Sequence, residues 1–389
     1  MNSLRLILSQ KSYFAPSWVF ASLNIMTGTW VLYLPHIKTK FNLNDSEVGL
    51  ALFSLALGLL VSIPFVPFVN RKIGVGQSTQ YGILLFALAY IIPLLAPSYW
   101  MLCSSLLLVG IFSGFTDISM NALVSTIEKN NDQHIMSAAH GFFSVGGFIG
   151  AGIGSLIMAL IASPIMHMTT AALFIIFSNL LLAKYYSTIQ EEELEESKQE
   201  KGKFKYIRPL LGLAIVAFVI MFSEGAVEHW SNLFLYDVVH LSENRAGLGF
   251  IAFSLCMTIG RFLGDGISKN IGPVKIIAGG CVIAFFGYLS IITSNLILSI
   301  AGFGILGLGL SVIVPELFRL AGKTKGVQAS VGISIVSGSG FAGFLLGPVI
   351  LGLISNWANL VWSFGFLAFL VLLALGLTTL RLNKTYKER

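Results

Sequence analysis

The sequence predicts an all-α integral membrane protein with twelve transmembrane helices in two pseudo-symmetric six-helix bundles. Three observations carry that prediction. Only 11% of the 389 residues are charged while 55% are hydrophobic, and the mean hydropathy is +0.83; soluble chains carry roughly 25% charged residues. Apolar runs recur at the roughly 20-residue length that a bilayer crossing needs. The second half also echoes the first 200 residues on: Trp30 with Trp230, Gly49 with Gly249, and Phe53-Ser54-Leu55 with Phe253-Ser254-Leu255. Internal repeats in a membrane chain are a mark of two-fold transporters with a solute site between the halves.

The first six apolar runs fall at 14–36, 47–69, 77–96, 99–123, 135–161 and 164–184. The first is too long for a cleavable signal and lacks a small-residue cleavage site, so it is expected to remain as a helix. Six more follow at 208–236, 246–264, 273–293, 295–318, 327–354 and 357–380. Several contain proline, such as Pro64, Pro67, Pro315 and Pro348, which membrane helices tolerate because neighbours re-satisfy the freed backbone groups. Cys103, Cys256 and Cys281 lie far apart inside these runs and are expected to be packing residues without a disulfide.

One long polar stretch separates the sets, giving bundles over 1–184 and 208–389 and a linker over 185–207. Its acidic block (Glu191, Glu192, Glu193, Glu195, Glu196) gives way to a basic one (Lys198, Lys201, Lys203, Lys205). This reads as a solvated linker with a basic end near anionic headgroups, or as a regulatory docking segment. With the N-terminus inside, 21 of the 24 Lys and Arg residues fall in cytoplasmic segments or at their boundaries; Lys38, Lys40 and Arg245 are the exceptions. That bias places both termini in the cytoplasm of an inner-membrane protein. The net charge of +6 is spread over short loops and forms no patch for nucleic acid.

The motif GRFLGD (260–265), followed by Lys269 and Gly272, reads as a loop between the eighth and ninth helices. With the six-plus-six count and charged linker, it resembles the major facilitator superfamily, whose loop signature it matches at Gly260, Arg261, Gly264, Asp265 and Gly272. The same loop of the first half, SIPFVPFVNRKIG (62–74), keeps only Arg71, Lys72 and Gly74. AAHGFFSVGGFIGA (138–151), EGAVEHWSNLFLYDV (224–238) and GFAGFLLGP (340–348) look like the YbjJ-type branch, with His229 in place of an acid before the tryptophan. The resemblance implies that the first and seventh helices line a central cavity, and that Asp265 latches the closed cytoplasmic side while Arg261 orders it. Gly-Pro occurs in the eleventh helix but not the fifth, which tilts away from drug/proton antiport.

Ionisable groups at mid-bilayer cost about 2.5–3.5 kcal/mol on insertion scales and usually face a cavity or a partner. Asp117, Glu224, Glu228 and Glu316 qualify. Glu224 lies mid-way along the seventh helix, with Glu228 one turn on along the same face. The repeat aligns Glu224 with Asn24. Glu224 reads as a proton or substrate site, as a hydrogen-bonded structural acid, or as an acid that lies away from the mid-membrane depth the run suggests. Glu228 is either a second site or a hydrated group near the outer mouth, and Asn232, at helical spacing from it, adds hydrogen bonds. Gly110, Gly114, Asp117 and Asn121 share one face of the fourth helix, with His140 as a titratable partner for the acid. That stripe reads as a cavity, coupling, gate or packing element. Glu316 reads as a gate or as a local ion pair with Arg319. Trp30, Tyr33 and Trp230 are belt or packing aromatics, or stacking surfaces for a flat or sugar-like ligand. Gly146, Gly150, Gly154, Gly343 and Gly347 are close-packing positions.

No phosphate loop, metal spacing or Ser/His/Asp cluster is present, so neither a nucleotide-driven pump nor an enzyme is expected, and no cofactor or metal. The expected partners are a small-molecule substrate, protons and membrane lipids, with the chain acting as a monomer. The leading expectation is proton-coupled uptake of a small polar, sugar-like solute by alternating access. Export of amphipathic or lipid-like compounds, and a receptor that binds solute without moving it, remain the alternatives.

Overall fold

A computed structural model describes residues 2–131, 135–161, 163–190, 203–322, 324, 327 and 329–382, and every regular element among them is helical. Two compact units result: Met1–Glu195 with Glu243–Gly247, and Glu196–Ser242 with Leu248–Arg389. In the first, α1 (Asn2–Ser9), α2 (Lys11–Val31), α3 (Leu34–Phe41), α4 (Asp45–Ser62), α5 (Val66–Ile73), α6 (Val75–Ala89), α7 (Ile92–Leu95), α8 (Tyr99–Asn131), α9 (Met136–Leu160) and α10 (Pro164–Ala183) follow one another. The second holds α11 (Lys203–Asp237), α13 (Leu248–Ile271), α14 (Pro273–Ile291), α15 (Leu296–Leu310), α16 (Ile313–Gly322), α17 (Ala329–Trp357) and α18 (Leu360–Leu377), ending in a π-helical turn, Thr378–Leu382. The short α12 (Glu243–Ala246) groups with the first unit. Ten helical spans among the described residues are long and apolar enough to cross a membrane. The 21-residue α2 and 24-residue α13, which carry more polar residues, bring the spans to twelve.

Helix starts follow local chemistry. Asn44 opens α4 with a reciprocal capping box to Glu47, Asn295 and Asn359 cap α15 and α18, and Ser163 with Pro164 opens α10. Each satisfies amides that the first turn leaves without partners. Glu128 reaches from α8 to accept from the Ile135 and Met136 amides (2.7 Å for the latter), anchoring the start of α9. Gly74 and Gly272 turn the chain into α6 and α14 at φ 87° and 86°, a region that favours glycine. Lys38 pairs with Asp45 at 2.6 Å, and Lys40 donates to the Leu94 and Ala96 carbonyls at 3.0 and 2.9 Å. Two of the three exceptions to the positive-inside pattern are thus bound locally.

The repeat is real, but its register differs from the one read off identities. A Cβ at Gly146 or Gly150 would overlap the carbonyls of Ala21 and Ile25, and one at Gly343 or Gly347 those of Phe218 and Phe222. Gly28 meets Gly147 as Gly225 meets Phe344. Every one of these equivalences (21 to 218, 25 to 222, 28 to 225, 146 to 343, 150 to 347) spans 197 positions, not 200. The counterpart of Glu224 is therefore Thr27, and that of Asn24 is Met221. Three residues are nearly one helical turn, so the slip preserves the apolar periodicity and isolated identical letters do not expose it. The second and fourth spans repeat the same device with sides exchanged: Gly114 abuts the Ser62 hydroxyl in one unit, and Gly260 abuts the Ser311 hydroxyl in the other.

Several boundaries shift. α8 runs eight residues beyond the expected end, to Asn131, and α13 continues past the expected 264 to Ile271, so that the whole GRFLGD segment and the residues after it are helical. The tenth span breaks at Ser311 and Val312 before α16. α11 begins at Lys203, inside the expected linker. At the linker's other end Tyr186 is fully buried, and Gly76 donates to the Ile189 carbonyl at 3.0 Å. Residues 191–202, with the acidic block and Lys198 and Lys201, lie outside the described residues.

Candidate functional site

α11 and α13 pack as antiparallel neighbours in the second unit. Glu224 lies 13 residues before the end of α11 at Asp237, and Arg261 lies 13 residues after the start of α13 at Leu248. At 1.5 Å per residue both stand about 20 Å from the same helix ends, so the two charges share one level. There Arg261 Nη2 and Glu224 Oε2 pair at 3.9 Å, with the side chains 27% and 15% exposed. Glu224 Oε1 is buried without a hydrogen-bond partner among the described residues. Glu228 lies one turn along the same face and within electrostatic reach of Glu224.

Arg261 stands inside α13, as the expected span 246–264 already had it, and faces Glu224; its role in ordering the cytoplasmic latch stays an expectation. The signal that would have found the pair was the equal distance of Glu224 and Arg261 from their shared helix ends. The Asp265 side chain lies outside the described residues, so its latch role stays an expectation.

The first unit brings together a second group, as the fourth-helix stripe suggested. Asn121 donates from Nδ2 to the Asp117 carbonyl at 2.8 Å and to its carboxylate at 3.3 Å. His140 Nε2 on α9 donates to Asn121 Oδ1 at 3.1 Å. The imidazole is exposed and meets Phe20 of α2 edge-on, with centroids 5.1 Å apart. The two glycines of the stripe face elsewhere: Gly110 and Gly114 press on Leu55, Leu59 and Ser62 of α4. The stripe thus divides into a packing half and a polar half.

Other candidates are drawn into the helix packing. Asn24 is 5% exposed and ties α2 to α9 through the Phe143 carbonyl at 2.9 Å. Trp30 and Trp230 are both fully buried. The Trp230 indole donates to the Pro348 carbonyl at 3.1 Å, and Trp30 stands against Tyr90. Neither indole offers a ring face to a solute or lies in an aromatic belt; the exposed indoles at helix ends are Trp100, Trp357 and Trp362. Tyr33 bonds His167 at 2.6 Å. Asn232 is fully buried. Glu316, 3% exposed, takes the Arg319 guanidinium at 2.8 Å as a local ion pair. Among the described residues no group of acidic, histidine and cysteine side chains is placed to hold a metal.

The sequence model described as Major Facilitator Superfamily matches residues 18–331 and, overlapping, 213–389. The chain is 30% identical over 350 residues to an uncharacterised MFS-type transporter of Yersinia pestis, covering 89% of each. It is 29% identical over 339 residues to membrane protein MosC of Rhizobium meliloti, covering 86% of this chain and 82% of that one. Lower similarity reaches proteins named for different solutes. Multidrug resistance protein 2 of Bacillus subtilis is 23% identical with 90% of each chain covered. A glucose/galactose transporter of Brucella abortus is 26% identical, with 84% of this chain and 85% of that one covered. Among solved structures, a bacterial homologue of the human lysosomal transporter Spinster, inward-facing and unoccupied, shares the fold. It has a TM-score of 0.76 at 14% identity, covering 100% of this chain and 98% of that one.

Proposed function

We propose that this chain, a transporter that belongs to the major facilitator superfamily, takes up a small polar solute by alternating access and couples its movement to protons at Glu224. The carrying observation is the Glu224–Arg261 pair inside two spanning helices, with one carboxylate oxygen lacking a partner among the described residues. A half-compensated acid at that depth is costly, and such groups mark solute and proton paths. Protonation removes its charge, and re-ionisation restores the pair with Arg261, so the carboxyl can cycle as access changes. Asp117, bridged to His140 through Asn121, assists as a second polar station. The same reading has the protein act as a monomer in the inner membrane with cytoplasmic termini, an orientation that the distribution of Lys and Arg favours.

The test is transport in proteoliposomes holding only this protein, after a solute screen by thermal shift. Glu224→Gln is expected to abolish accumulation driven by a pH gradient while leaving downhill counterflow. A variant that still concentrates solute would remove Glu224 from the coupling path.

Export of amphipathic compounds is the second reading. It is favoured by the multidrug resistance relative and by the 30 phenylalanines and 10 methionines. Unchanged drug sensitivity on deleting the protein would count against it.

A further inference from the structure

We infer that the seam between α2 and α10 binds an anionic phospholipid, whose phosphate pairs with Lys11 and Lys184. The site is independent of the reading of Glu224. Lys11 opens α2, and Lys184 follows the last residue of α10. Both ammonium groups stand over the Tyr185 ring, 5.8 and 5.3 Å from its centroid, within the reach of cation–π attraction. Both lysines are exposed, and among the described residues neither has an acidic partner. The described acids of this unit are engaged elsewhere. Asp45 and Glu243 pair with Lys38 and His36, Glu47 caps α4, Asp117 accepts from Asn121, and Glu128 holds the start of α9. Two like charges gathered at one ring repel each other, and an anion shared by them removes that cost.

Away from the lysines the seam is aromatic, as an acyl chain requires. Lys11, Phe14 and Trp18 share one face of α2, and Phe174 and Ser178 share one face of α10, by helical spacing. The two faces meet. Trp18 donates from Nε1 to the Ser178 hydroxyl at 3.0 Å and meets Phe174 edge-on, with centroids 6.3 Å apart. Phe14 stacks along Trp18 at 6.0 Å. Phe174 is 54% exposed, while Phe14 and Trp18 are half-buried. α10 is long and apolar enough to cross a membrane, and its apolar span ends at Ala183. Lysines at such an end lay their stems along apolar surface and carry the charge to headgroup level, where anionic lipids attract them. Aromatic residues alone would not select a headgroup by its charge, and the unpaired lysines do. A choline headgroup brings its own cation and answers them poorly. A free phosphate would meet the lysines but leave the aromatic seam unfilled.

The test uses the purified full chain, stripped of native lipid in a neutral detergent. Thermal stability and native mass spectrometry are read against added lipid. Phosphatidylglycerol should bind and stabilise more strongly than phosphatidylcholine of the same acyl chains, and raised salt should narrow the difference. Lys11→Gln and Lys184→Gln should each weaken phosphatidylglycerol binding about fivefold, the equivalent of one lysine at an anionic surface. Lys11→Arg with Lys184→Arg, which keeps both charges, should retain it. Arg71→Gln with Lys275→Gln removes the same charge at exposed positions elsewhere and should leave it unchanged. Phe174→Ala should weaken both lipids alike. Equal binding of the two lipids, or a preference that survives Lys11→Gln with Lys184→Gln, would overturn the proposal. So would an equal loss in the Arg71 and Lys275 control, or the same stabilisation from inorganic phosphate. A preference that appears only after Glu191, Glu192, Glu193, Glu195 and Glu196 are changed to Gln would give the lysines to the linker's acidic block, and would overturn it too.

Discussion

A buried carboxylate is informative because of what compensates it, and the membrane acids of this chain differ on that point. Glu316 has Arg319 at 2.8 Å, one turn along the same helix, a pairing that local spacing alone suggests. Glu224 has its cation at 3.9 Å on a neighbouring helix, which spacing along one helix cannot reveal. The close pair behaves as structure. Arg319→Ala removes the guanidinium from a carboxylate that is 3% exposed. It should destabilise the protein by about 1–3 kcal/mol, the cost of stripping a buried acceptor of a hydrogen-bond donor. Adding Glu316→Gln should recover part of that loss, because a neutral amide is cheaper to bury than a charge. Thermal melting of the two single variants and the double variant checks this. Full additivity would show that the two side chains do not act as a pair.

At the scale of the element, small residues set how closely the spans approach. Gly110 on Leu55, Gly146 on Ala21 and Gly343 on Phe218 leave no room for a Cβ against a neighbouring carbonyl. Adding one forces the helices apart, and overpacking of this kind costs typically about 1–3 kcal/mol. Gly110→Ala, Gly146→Ala and Gly343→Ala should each lower the melting temperature. Gly365→Ala, with open space around its Cβ position, should leave it nearly unchanged. A Gly365→Ala loss equal to the other three would show that helix approach is not the cause. The positions of the spans were legible from hydropathy, since each must bury or expose an apolar surface of fixed length. Their ends were not. α13 continues through polar residues to Ile271, where composition suggests a loop but the backbone hydrogen bonds persist. Arg261 lay within the expected span 246–264 all along; what hid it as a partner of Glu224 was its reading as part of a loop motif. The three-residue error in the repeat concealed Thr27 as the counterpart of Glu224, because nearly one full turn of slip leaves the hydrophobic pattern intact.

At the scale of the whole molecule, the two-fold repeat and the asymmetry of the charges have different origins. The glycine contacts between the first and fifth spans recur 197 residues later because both units solve one packing problem. The ionisable groups do not recur: where the second unit has Glu224 and Arg261 the first has Thr27 and, one residue after the Ser62 that stands where Gly260 does, the apolar Ile63. A symmetric scaffold with an unsymmetric set of charges gives the units unequal polar interiors, with the Glu224–Arg261 pair in the second. The side from which that pair is measured depends on orientation, for which the sequence signal is the Lys and Arg bias of the short connections. Lys38 and Lys40, on the opposite side, are tied to Asp45 and to the end of α7 and do not weaken it. Fluorescent-protein fusions fold only in the cytoplasm, and alkaline phosphatase fusions are active only outside it. A fluorescent fusion at Arg389 is therefore expected to shine, a phosphatase fusion after Asn42 to be active, and one after Ile189 to be inactive. The reverse pattern would invert the chain, so that the helix ends from which Glu224 and Arg261 were measured would face the cytoplasm.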